Sequence, residues 1–575
     1  MSTLVVVPAR DGSKRLSGKN LALVAGASLV ARAVWVGRQA ANVLGRDTMV
    51  VVDTDSHDIA AEGRAWGASV PFLRAPEFAG DDVTAAESVL QLLVRLGERG
   101  ASATSLILLQ PTSPLRTVDD VLACWGRFDH TTCPSVTSVT ASGGRPELEF
   151  GTDASGVLTL FPGDETTCCR LTGSVYVSST AVLRERRAFV IPGLTVGVTL
   201  PLWRSVDVDT ADDLAIARQL VPVAKEHGFK VEDRWIGDGA PCFVIAEAGV
   251  NHNGDVGLAK ELIDAAADAG ADAVKFQTFS PDRLVAHTAP KAPYQVERSG
   301  SGSQESMLAG LVLPSSAYLE LIAHANERAI LFLSTPFDME SVDLLLSLGM
   351  AAVKIGSGDL THDPLLRYVA RQGRPIVLST GMATLAEVGH AIQVIQSVRR
   401  VPLAVLHCVT NYPATSSEAN LRAMDTMRML FGVPAGWSDH TLGIDVALAA
   451  VARGASILEK HLTLDTALPG PDHRASLEPG DFLRLVTGVR GIEAALGDGV
   501  KQPAASERAN IPAARRSLHL TRSLTAGHQL ELDDLAALRP GTGVPPSALE
   551  ELLGRRLARA LPSGAVVREQ DLERG

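Results

Sequence analysis

Short apolar runs alternate with helix-period stretches through the middle of the chain. Eight such runs occur, at Phe243–Glu247, Ala273–Gln277, Ile330–Ser334, Ala351–Ile355, Pro375–Thr380, Pro402–His407, Val433–Trp437 and Ser456–Lys460. Helical periodicity follows several of them, at Val256–Ala269, Asp338–Leu348 and Leu385–Val398. Alternating strand and helix units in this number predict a TIM-type (β/α)8 barrel over residues 241–497. A doubly wound open sheet is the alternative.

Two segments have the composition of linkers. Lys225–Ala240 follows a helical run at Ala211–Ala224 and contains Gly, Asp and Pro, and Gly497–Ala514 is rich in Ala, Gly and Pro. They predict three domains, covering residues 1–224, 241–497 and 515–575.

Composition and charge argue against nucleic-acid-binding and membrane-spanning proteins. Of 575 residues, 46% are hydrophobic, which is enough for extensive cores. The 53 basic and 65 acidic residues give a net charge of -12, and no long basic block occurs, so we expect no nucleic-acid partner. We expect no membrane span, because no apolar run reaches about 18 residues, and we see no signal peptide. Six cysteines without metal-type spacing favour a reducing cytoplasm.

Polar side chains follow each of the eight apolar runs. They are Glu247, Lys275, Gln277, Ser334, Thr335, Lys354, Ser357, Ser379, Thr380, Asn411, Tyr412, Ser438, His440, Lys460 and His461. Active sites of (β/α)8 barrels lie at the carboxyl ends of the strands, so we expect these residues to converge on one mouth. A single lysine or histidine at such a position is usually solvated or hydrogen-bonded locally. Polar residues follow all eight runs, however, and this recurrence favours an active site.

The chemistry of this set suits a phosphate and a metal ion. Lys275 and Lys354 supply positive charge, and hydroxyl groups and glycine amides supply hydrogen bonds. These groups belong to Thr335, Ser357, Ser379, Ser438, Gly356, Gly358 and Gly381. His440 and His461 could share a divalent metal with open positions, although a structural role for this pair is about equally plausible. Glu247 is a candidate general base.

Ordered motifs in this block resemble the sialic acid synthase family. They are IAEAGVNHNG (Ile245–Gly254), KFQTF (Lys275–Phe279), STPFD (Ser334–Asp338), KIGSGD (Lys354–Asp359), STGM (Ser379–Met382), SDHTLG (Ser438–Gly443), EKHLTLD (Glu459–Asp465) and PDHRASLEP (Pro471–Pro479). The resemblance implies condensation of phosphoenolpyruvate with an N-acylmannosamine-type sugar. The products would be phosphate and a nine-carbon 2-keto acid.

The resemblance also implies residue roles. Phosphoenolpyruvate would bind Lys275, Thr335, Lys354, Ser357, Ser379 and Ser438; a Mn or Mg ion would bind His440 and His461; and the acceptor sugar would contact Gln277, Tyr412 and Asp472. Glu247 would steer and deprotonate the attacking water. Asp359 stands where many members carry Glu, and Asn411 does not align uniformly with relatives. Both are further candidate contacts to the sugar.

The last residues resemble the antifreeze-like SAF domain that follows this barrel in the family. The segment LRPGTGVPP (Leu538–Pro546) carries the resemblance. It implies a domain-swapped homodimer in which Arg539 reaches the sugar in the other subunit. Without the resemblance, Arg539 would be interpreted as a solvated surface arginine.

A basic glycine-containing loop follows the first apolar run, Leu4–Val7. This loop, PARDGSKRLSGKN (Pro8–Asn20), suits a nucleoside triphosphate, because glycines admit phosphates to backbone amides and the cations offset their charge. It is neither a Walker A motif nor a dinucleotide fingerprint. Asp207 and Asp209 are two residues apart on a predicted strand, so both would point to one face and could hold Mg. The alternative is an ordinary acidic turn.

These segments, together with four others, resemble CMP-sialic acid synthetases. The others are VVDTD (Val51–Asp55), Arg74–Pro76, LLQPTSPLR (Leu108–Arg116) and TGSVYV (Thr172–Val177). The resemblance implies a Rossmann-like α/β fold in which a nonulosonic acid attacks the α-phosphate of CTP. It assigns the nucleotide to Arg10, Ser13, Lys14, Lys19, Asn20 and Arg74, the sugar to Gln110 and Tyr176, and Mg to Asp207 and Asp209. Relatives carry Arg-Arg-Gln and Asn-Gly where this chain has only Arg170 and Thr172–Gly173.

The sequence therefore predicts a bifunctional α/β enzyme. The barrel would act as an N-acetylneuraminate synthase-type transferase, and the N-terminal domain as an acylneuraminate cytidylyltransferase-type nucleotidyltransferase. One alternative keeps the barrel active and makes the N-terminal domain a non-catalytic nucleotide- or sugar-binding module. Another is a condensation with a phosphorylated sugar, against which PDHRASLEP argues.

Overall fold

The protein divides into two compact units, Met1–Ala495 and Leu496–Gly575. The computed structural model describes residues 2–12, 15–45, 47–80, 82–141, 150–152, 157–160, 168–220, 228–291, 296, 302–498 and 500–573. The first unit contains an N-terminal sheet domain and a barrel. No helix in these ranges is long and apolar enough to cross a membrane.

The N-terminal domain is a mixed sheet covered by helices. Its strands are β1 (Thr3–Pro8), β2 (Leu23–Val24), β3 (Ala27–Ser28), β4 (Thr48–Asp53), β5 (Ser105–Leu109), β6 (Ser135–Ala141), β7 (Phe150–Thr152), β8 (Leu158–Leu160), β9 (Cys168–Ser179) and β10 (Val196–Thr199). Its helices are α1 (Leu29–Leu44), α2 (His57–Ala65), α3 (Ala85–Gly97), α4 (Val118–Arg127), α5 (Thr180–Arg186) and α6 (Ala211–Leu220). The main order is β10-β6-β9-β5-β1-β4, with β1 parallel to β4 and β5.

The apolar run at the start of the chain forms the centre of this sheet. Successive residues of a strand point to opposite faces. Val5 and Val7 accordingly pack in the same cluster as α1, whereas Leu4 and Val6 pack in the cluster of α3. Because β1 runs parallel to β4 and β5, the carboxyl ends of these three strands meet at one edge of the sheet, where the basic loop begins.

The barrel contains the eight predicted strands, with ends shifted by one or two residues. They are β13 (Phe243–Gly249), β14 (Ala273–Thr278), β15 (Leu331–Pro336), β16 (Val353–Ile355), β17 (Ile376–Ser379), β18 (Leu403–Cys408), β19 (Ala435–Asp439) and β20 (Ile457–His461), following the hairpin strands β11 (Gly228–Val231) and β12 (Arg234–Gly237). All neighbouring pairs in the order β15-β14-β13-β20-β19-β18-β17-β16 are parallel. Strands β15 and β16 also contact each other, which nearly closes the barrel.

Helices surround the barrel, and most of them cover its outside. They are α7 (Val256–Asp268), α8 (Pro281–Leu284), α9 (Gln304–Ala309), α10 (Ala317–Glu327), α11 (Met339–Ser347), α12 (Asp363–Gln372), α13 (Leu385–Val398), α14 (Arg422–Phe431), α15 (Asp445–Ala452) and α16 (Pro479–Leu496). Several begin at an N-cap side chain, such as Asp255 for α7 and Thr384 for α13. These caps satisfy amide groups that the first helical turn leaves free.

The prediction of a linker at Lys225–Ala240 is wrong over the hairpin β11–β12. Phe229, Val231 and Ile236 are buried and pack in one cluster with barrel residues such as Phe243 and Ile457. Glycine and charged residues gave the segment a linker-like composition, but three alternate apolar side chains are enough to seal the amino-terminal end of the barrel. Residues 225–227 lie outside the described part of the chain.

Aromatic packing joins the N-terminal domain to the barrel. The ring of Trp35 in α1 lies 5.0 Å from that of Phe431 in α14 and 6.5 Å from that of Trp66, between centroids. Gly389 in α13 allows this approach, since a Cβ there would lie 3.1 Å from the Trp66 ring. The two domains therefore share one continuous core.

The second unit is a small β-rich body. Its elements are α17 (Ala505–Arg508), α18 (Ile511–Ala514), β21 (Ser517–Leu520), β22 (Leu535–Leu538) and α19 (Leu549–Leu552). Its own core includes Leu518, Leu552 and Leu557. Arg539 follows β22 and is exposed.

Candidate active sites

A cavity of about 210 Å³ opens at the carboxyl ends of the barrel strands. Most of the residues predicted to meet there line it: Glu247, Gln277, Lys275, Thr335, Lys354, Ser357, Ser379, Tyr412, Ser438, His440, His461 and Asp472. They come from seven of the eight strand ends and from the loops that follow, over more than two hundred positions of sequence. The barrel topology is what brings them together.

Lys275 lies at the centre of a buried charge cluster. Its Nζ is 2.7 Å from Oε2 of Glu247 and 3.7 Å from Oε2 of Glu459, and it donates a hydrogen bond of 3.0 Å to Oγ1 of Thr335. The Lys275 and Glu247 side chains are each 3% exposed. Burial on this scale is tolerated only because the charges are paired.

Lys354 approaches the same cluster from β16, two strands away from Lys275 on β14. Its Nζ donates to Oγ of Ser379 at 2.7 Å and lies 3.6 Å from Oε1 of Glu459. The same carboxylate accepts a hydrogen bond of 2.9 Å from Ser438. Glu459 thus stands between the two lysines and fixes their separation.

Sequence reasoning missed Glu459 as a site residue, although it lies within the motif EKHLTLD. The available signal was the strand period of two. Glu459 and His461 are two apart on β20, as Ser438 and His440 are at the end of β19, and Ser438 is in register with Glu459. Alternate positions of a barrel strand face the interior, so a residue two before a cavity-facing histidine should face it too.

The cluster shifts the pKa values of its carboxyl groups in opposite directions. Burial raises the pKa of Glu247, and Glu459 adds to this, while Lys275 opposes it. Burial also acts against ionisation of Glu459, but Lys275 and Lys354 outweigh it and hold the pKa of Glu459 at about 2. Glu459 is therefore the permanent counter-ion, and Glu247 is the group that can exchange a proton.

His440 and His461 lie side by side, with ring centroids 5.5 Å apart. Burial lowers the pKa of His440, and burial together with His440 lowers that of His461 further, so both rings are neutral. Nδ1 of His440 lies 2.6 Å from the carbonyl of Val409, to which it can donate a hydrogen bond, leaving Nε2 with a lone pair. Nδ1 of His461 is buried without a hydrogen-bond partner in the described residues. Neutral imidazoles in this arrangement fit a divalent cation.

Among the described residues, few other side chains that could bind a metal lie near His440 and His461. Asp472 is 3.9 Å from Nδ1 of His461, and Tyr412 stacks 4.1 Å from His440 between ring centroids. No group of three or more His, Cys, Asp or Glu side chains in the described residues has the arrangement of a metal site. Two imidazoles leave several coordination positions for water or substrate.

Four residues predicted to converge on the mouth do not line it, namely Asn411 and three others that have contacts elsewhere. Ser334 bonds Thr278, Thr380 donates to the carbonyl of Leu406, and Lys460 pairs with Asp439 at 2.8 Å in a fully buried contact. Each directly precedes or follows a cavity-facing residue. The prediction ignored strand alternation, which turns every second side chain towards the surrounding helices.

Asp359 and Asn411 also lie outside the lining of the cavity. Asp359 faces His362, 3.6 Å from its Nδ1, and burial raises its pKa. Asn411 is exposed. Both follow strand ends in sequence, but neither side chain lines the space where the lysines and histidines meet.

In the N-terminal domain the basic loop meets the acidic segment. Arg15 and Lys19 each lie 2.9 Å from an oxygen of Asp209. Asn20 donates to the carbonyl of Arg10 at 2.8 Å, which fixes the shape of the loop, and Arg10 donates to the carbonyl of Ala79. Ser13 and Lys14 lie outside the described residues.

The predicted sugar residues approach the same place from β5 and β9. A Cβ on Gly173 would lie 3.0 Å from Oε1 of Gln110 and 3.9 Å from Oδ2 of Asp207. Burial raises the pKa of Tyr176 to about 12, and Asp207 contributes to the shift, so these two side chains are close. Arg74 instead forms an ion pair of 2.8 Å with Asp53.

The strand predicted for Asp207 and Asp209 is wrong. Residues 205–209 form an extended loop without sheet partners between a 3-10 turn and α6. Partial desolvation raises the pKa of Asp207, with Asp209 adding to it. Asp207 therefore suits a metal ion that would restore its ionised form, whereas both oxygens of Asp209 are engaged by cations.

The chain has relatives among known proteins. It is 45% identical over 342 residues to N,N'-diacetyllegionaminic acid synthase of Legionella pneumophila, covering 59% of this chain and 96% of that protein. The chain belongs to the NeuB family. The model of the NeuB family matches residues 262–501. N-acetylneuraminate-9-phosphate synthase of Mus musculus is 35% identical, over 59% of this chain and 95% of that protein.

The other parts of the chain match different families. A cytidylyltransferase model matches residues 4–116, and a SAF domain model matches residues 515–573. The chain is thus a fusion of a cytidylyltransferase domain, a NeuB-family synthase barrel and a SAF domain. A crystal structure of N-acetylneuraminic acid synthetase from Leptospira borgpetersenii matches with 35% identity and a TM-score of 0.45, covering 50% of this chain and 97% of that one.

Proposed function

We propose that this NeuB-family chain catalyses two consecutive reactions. The barrel condenses phosphoenolpyruvate with an N-acylmannosamine-type sugar, forming a nine-carbon 2-keto acid and phosphate. The N-terminal domain then transfers the cytidylyl group of CTP to this nonulosonic acid and releases pyrophosphate. The observation that supports the proposal most is the buried Lys275–Glu459–Lys354 cluster beside two neutral histidines in one cavity.

In the barrel, the two lysines bind the anionic groups of phosphoenolpyruvate. Thr335, Ser379 and Ser438 already bond members of the cluster and are positioned to share their hydrogen bonds with a phosphate. C3 of phosphoenolpyruvate attacks the aldehyde carbon of the sugar, which forms the new C–C bond, converts the aldehyde oxygen to a hydroxyl group by uptake of a proton, and leaves an oxocarbenium at C2. Because Glu247 is the carboxyl group that takes up a proton easily, it serves as the base towards the water that attacks this C2. Loss of phosphate from the resulting tetrahedral centre by C–O cleavage completes the reaction.

His440 and His461 would hold a Mn or Mg ion. Such an ion, when bound, supplies Lewis-acid polarisation of the sugar aldehyde. The Val409 carbonyl orients His440 through its Nδ1, and Tyr412 packs against its ring. Gln277, which donates to Glu247 at 3.1 Å, and Asp472 are the proposed contacts to the acceptor sugar.

In the N-terminal domain, Arg15 and Lys19 would give up their ion pairs with Asp209 when CTP binds. A triphosphate at the basic loop takes the place of Asp209 as their counter-ion. The released Asp209 carboxylate then becomes available, with Asp207, as a ligand for Mg. Gln110 and Tyr176 would face the sugar.

The acceptor is proposed from the relatives. Two N,N'-diacetyllegionaminic acid synthases are 45% identical to this chain, against 35% for N-acetylneuraminate-9-phosphate synthase. We therefore infer a legionaminic-type acid as the product. For the SAF domain we propose that Arg539 reaches the sugar site of a second copy in a domain-swapped homodimer, which a mass measurement by light scattering would test.

Assays of the full chain with single substrates left out test both reactions. Phosphate should appear with phosphoenolpyruvate and an N-acyl hexosamine without CTP. Pyrophosphate should appear with CTP and a nonulosonic acid without phosphoenolpyruvate. Absence of pyrophosphate with every nonulosonic acid tried would leave the N-terminal domain as a binding module.

A further inference from the structure

A buried ion pair lies next to the two histidines of the barrel and takes no direct part in the proposed reactions. Nζ of Lys460 is 2.8 Å from Oδ2 of Asp439, and both side chains are 0% exposed. Asp439 directly precedes His440 in the sequence, and Lys460 directly precedes His461. Neither charged group lines the synthase cavity, so the pair acts on the site only through its neighbours.

Stability alone does not account for this pair. Removing two charges from water offsets most of their attraction, and apolar residues of similar volume are often equally stabilising. Among the ion pairs of the described residues, this is the only one in which both side chains are fully buried. The best-attested role of a buried polar pair is to fix the register of the elements that carry it.

The backbone ladder between β19 and β20 ends just before the histidines. Its last register pair is Asp439 with Lys460, so His440 lies beyond it. The side chain of Lys460 continues the connection, because its Nζ also donates to the carbonyl of Thr441. Lys460 therefore bonds the residues on both sides of His440 and is itself bonded through the main chain to His461.

The second oxygen of Asp439 closes a turn around His440. Oδ1 of Asp439 accepts from the amide of Thr441 at 2.9 Å and from its hydroxyl at 2.8 Å. The carbonyl of His440 accepts from the amide of Ala414 at 2.9 Å. The main chain at His440 is thus fixed on both sides, and losing the ion pair would release its connection to β20.

We propose that Asp439 and Lys460 are positioning residues that set the separation of the His440 and His461 imidazoles for a shared metal ion. The inference rests on the proposed function, which assigns Mn or Mg to these two rings. The ring centroids lie 5.5 Å apart on the ends of two different strands, so their separation depends on what joins those ends. Removing a group that orients a metal ligand typically weakens metal affinity about 10- to 100-fold.

Mn binding to the full chain tests the inference without turnover, with free Mn measured by electron paramagnetic resonance. The barrel equivalent is the one that His440→Ala abolishes, which separates it from any Mn held in the N-terminal domain. The double variant Asp439→Asn, Lys460→Met removes both charges together, so no unpaired charge stays buried, and the Asn oxygen can still accept from Thr441. We expect the Kd of the barrel equivalent to rise about 10-fold.

A matched control is the ion pair of Asp120 and Arg204 in the N-terminal domain, which is 3.0 Å long. The double variant Asp120→Asn, Arg204→Met neutralises this pair in the same way and should leave the barrel equivalent unchanged. Thermal melting shows whether each double variant is folded at the assay temperature.

A milder variant decides the case if Asp439→Asn, Lys460→Met does not fold. Thr441→Val keeps both charges and the side-chain volume but removes the hydroxyl bond to Asp439, so Mn binding should weaken about 3-fold. Wild-type Mn affinity in the folded double variant, or in Thr441→Val when the double variant is unfolded, would overturn the inference alone. A wild-type chain without any Mn equivalent sensitive to His440→Ala would instead refute the proposed metal site, and the inference with it.

Discussion

The two candidate active sites present positive charge in different ways. In the barrel, Lys275 and Lys354 are 3% and 5% exposed and have a buried carboxylate, Glu459, as a fixed counter-ion. In the N-terminal domain, Lys19 is 14% exposed and Arg15 is 71% exposed, and their partner Asp209 is 40% exposed. The barrel cluster is built on strand ends, whereas the ion pairs of the N-terminal domain join two loops.

The difference teaches how each site gains affinity for an anion. Charges in a desolvated cavity interact strongly and are little affected by salt, so the barrel cluster is already arranged before the proposed substrate, phosphoenolpyruvate, binds. The exposed loop pairs are weak and screened, and can exchange Asp209 for phosphate at low cost. We therefore expect large effects of substitution in the barrel and moderate, salt-dependent effects in the N-terminal domain.

Lys275→Met should produce the largest effect. It removes a charge directed at substrate and leaves Glu247 buried without its partner, so kcat/KM for phosphate release should fall about 1,000-fold. Pyrophosphate release by the same preparation should not change. Lys260→Met, at an exposed ion pair with Glu320, is the matched control and should be neutral. Equal loss of both activities would show a folding defect instead.

Glu247→Gln should lower kcat for phosphate release about 100-fold with little change in KM. Because the pKa of Glu247 is raised, the wild-type rate should fall as the pH drops below neutrality, where this carboxylate takes up a proton. The variant should lack that acid limb. An identical limb in both proteins would assign the titration to another group.

Lys19→Ala should raise the KM for CTP about 10-fold, equivalent to about 1.4 kcal/mol, and leave phosphate release intact. Pyrophosphate release by the wild type should also weaken with added salt more than phosphate release does. Lys501→Ala, an exposed lysine in the segment before the SAF domain, serves as the control. A KM unchanged by Lys19→Ala would remove the basic loop from the CTP site.

Asn411→Ala should have the smallest effect, less than about 3-fold on kcat/KM, because the side chain is exposed and does not line the cavity. Tyr412→Ala removes a ring that packs on His440 and should cost more than about 10-fold. The pair is compared by steady-state phosphate release. A larger loss at Asn411 would show that its loop turns inward when substrate binds.

Sequence alone predicted the barrel because eight strand runs alternate with helical stretches and each run ends in polar residues. It failed where composition hid a pattern, as in the hairpin β11–β12, whose buried Phe229 and Ile236 are separated by charged residues. It also placed Lys460 at the mouth, although strand alternation turns it outward to Asp439. Glu459 was missed because its role depends on two lysines that only the closed barrel brings to either side of it.

The central claim is that one chain carries out both steps. Mass spectrometry of the full chain incubated with phosphoenolpyruvate, CTP, Mg and a panel of 2-acetamido and diacetamido hexoses tests it most directly. We expect a CMP-linked nine-carbon acid for at least one sugar, and the free acid alone when CTP is left out. A free acid that accumulates unchanged in the presence of CTP would contradict the account.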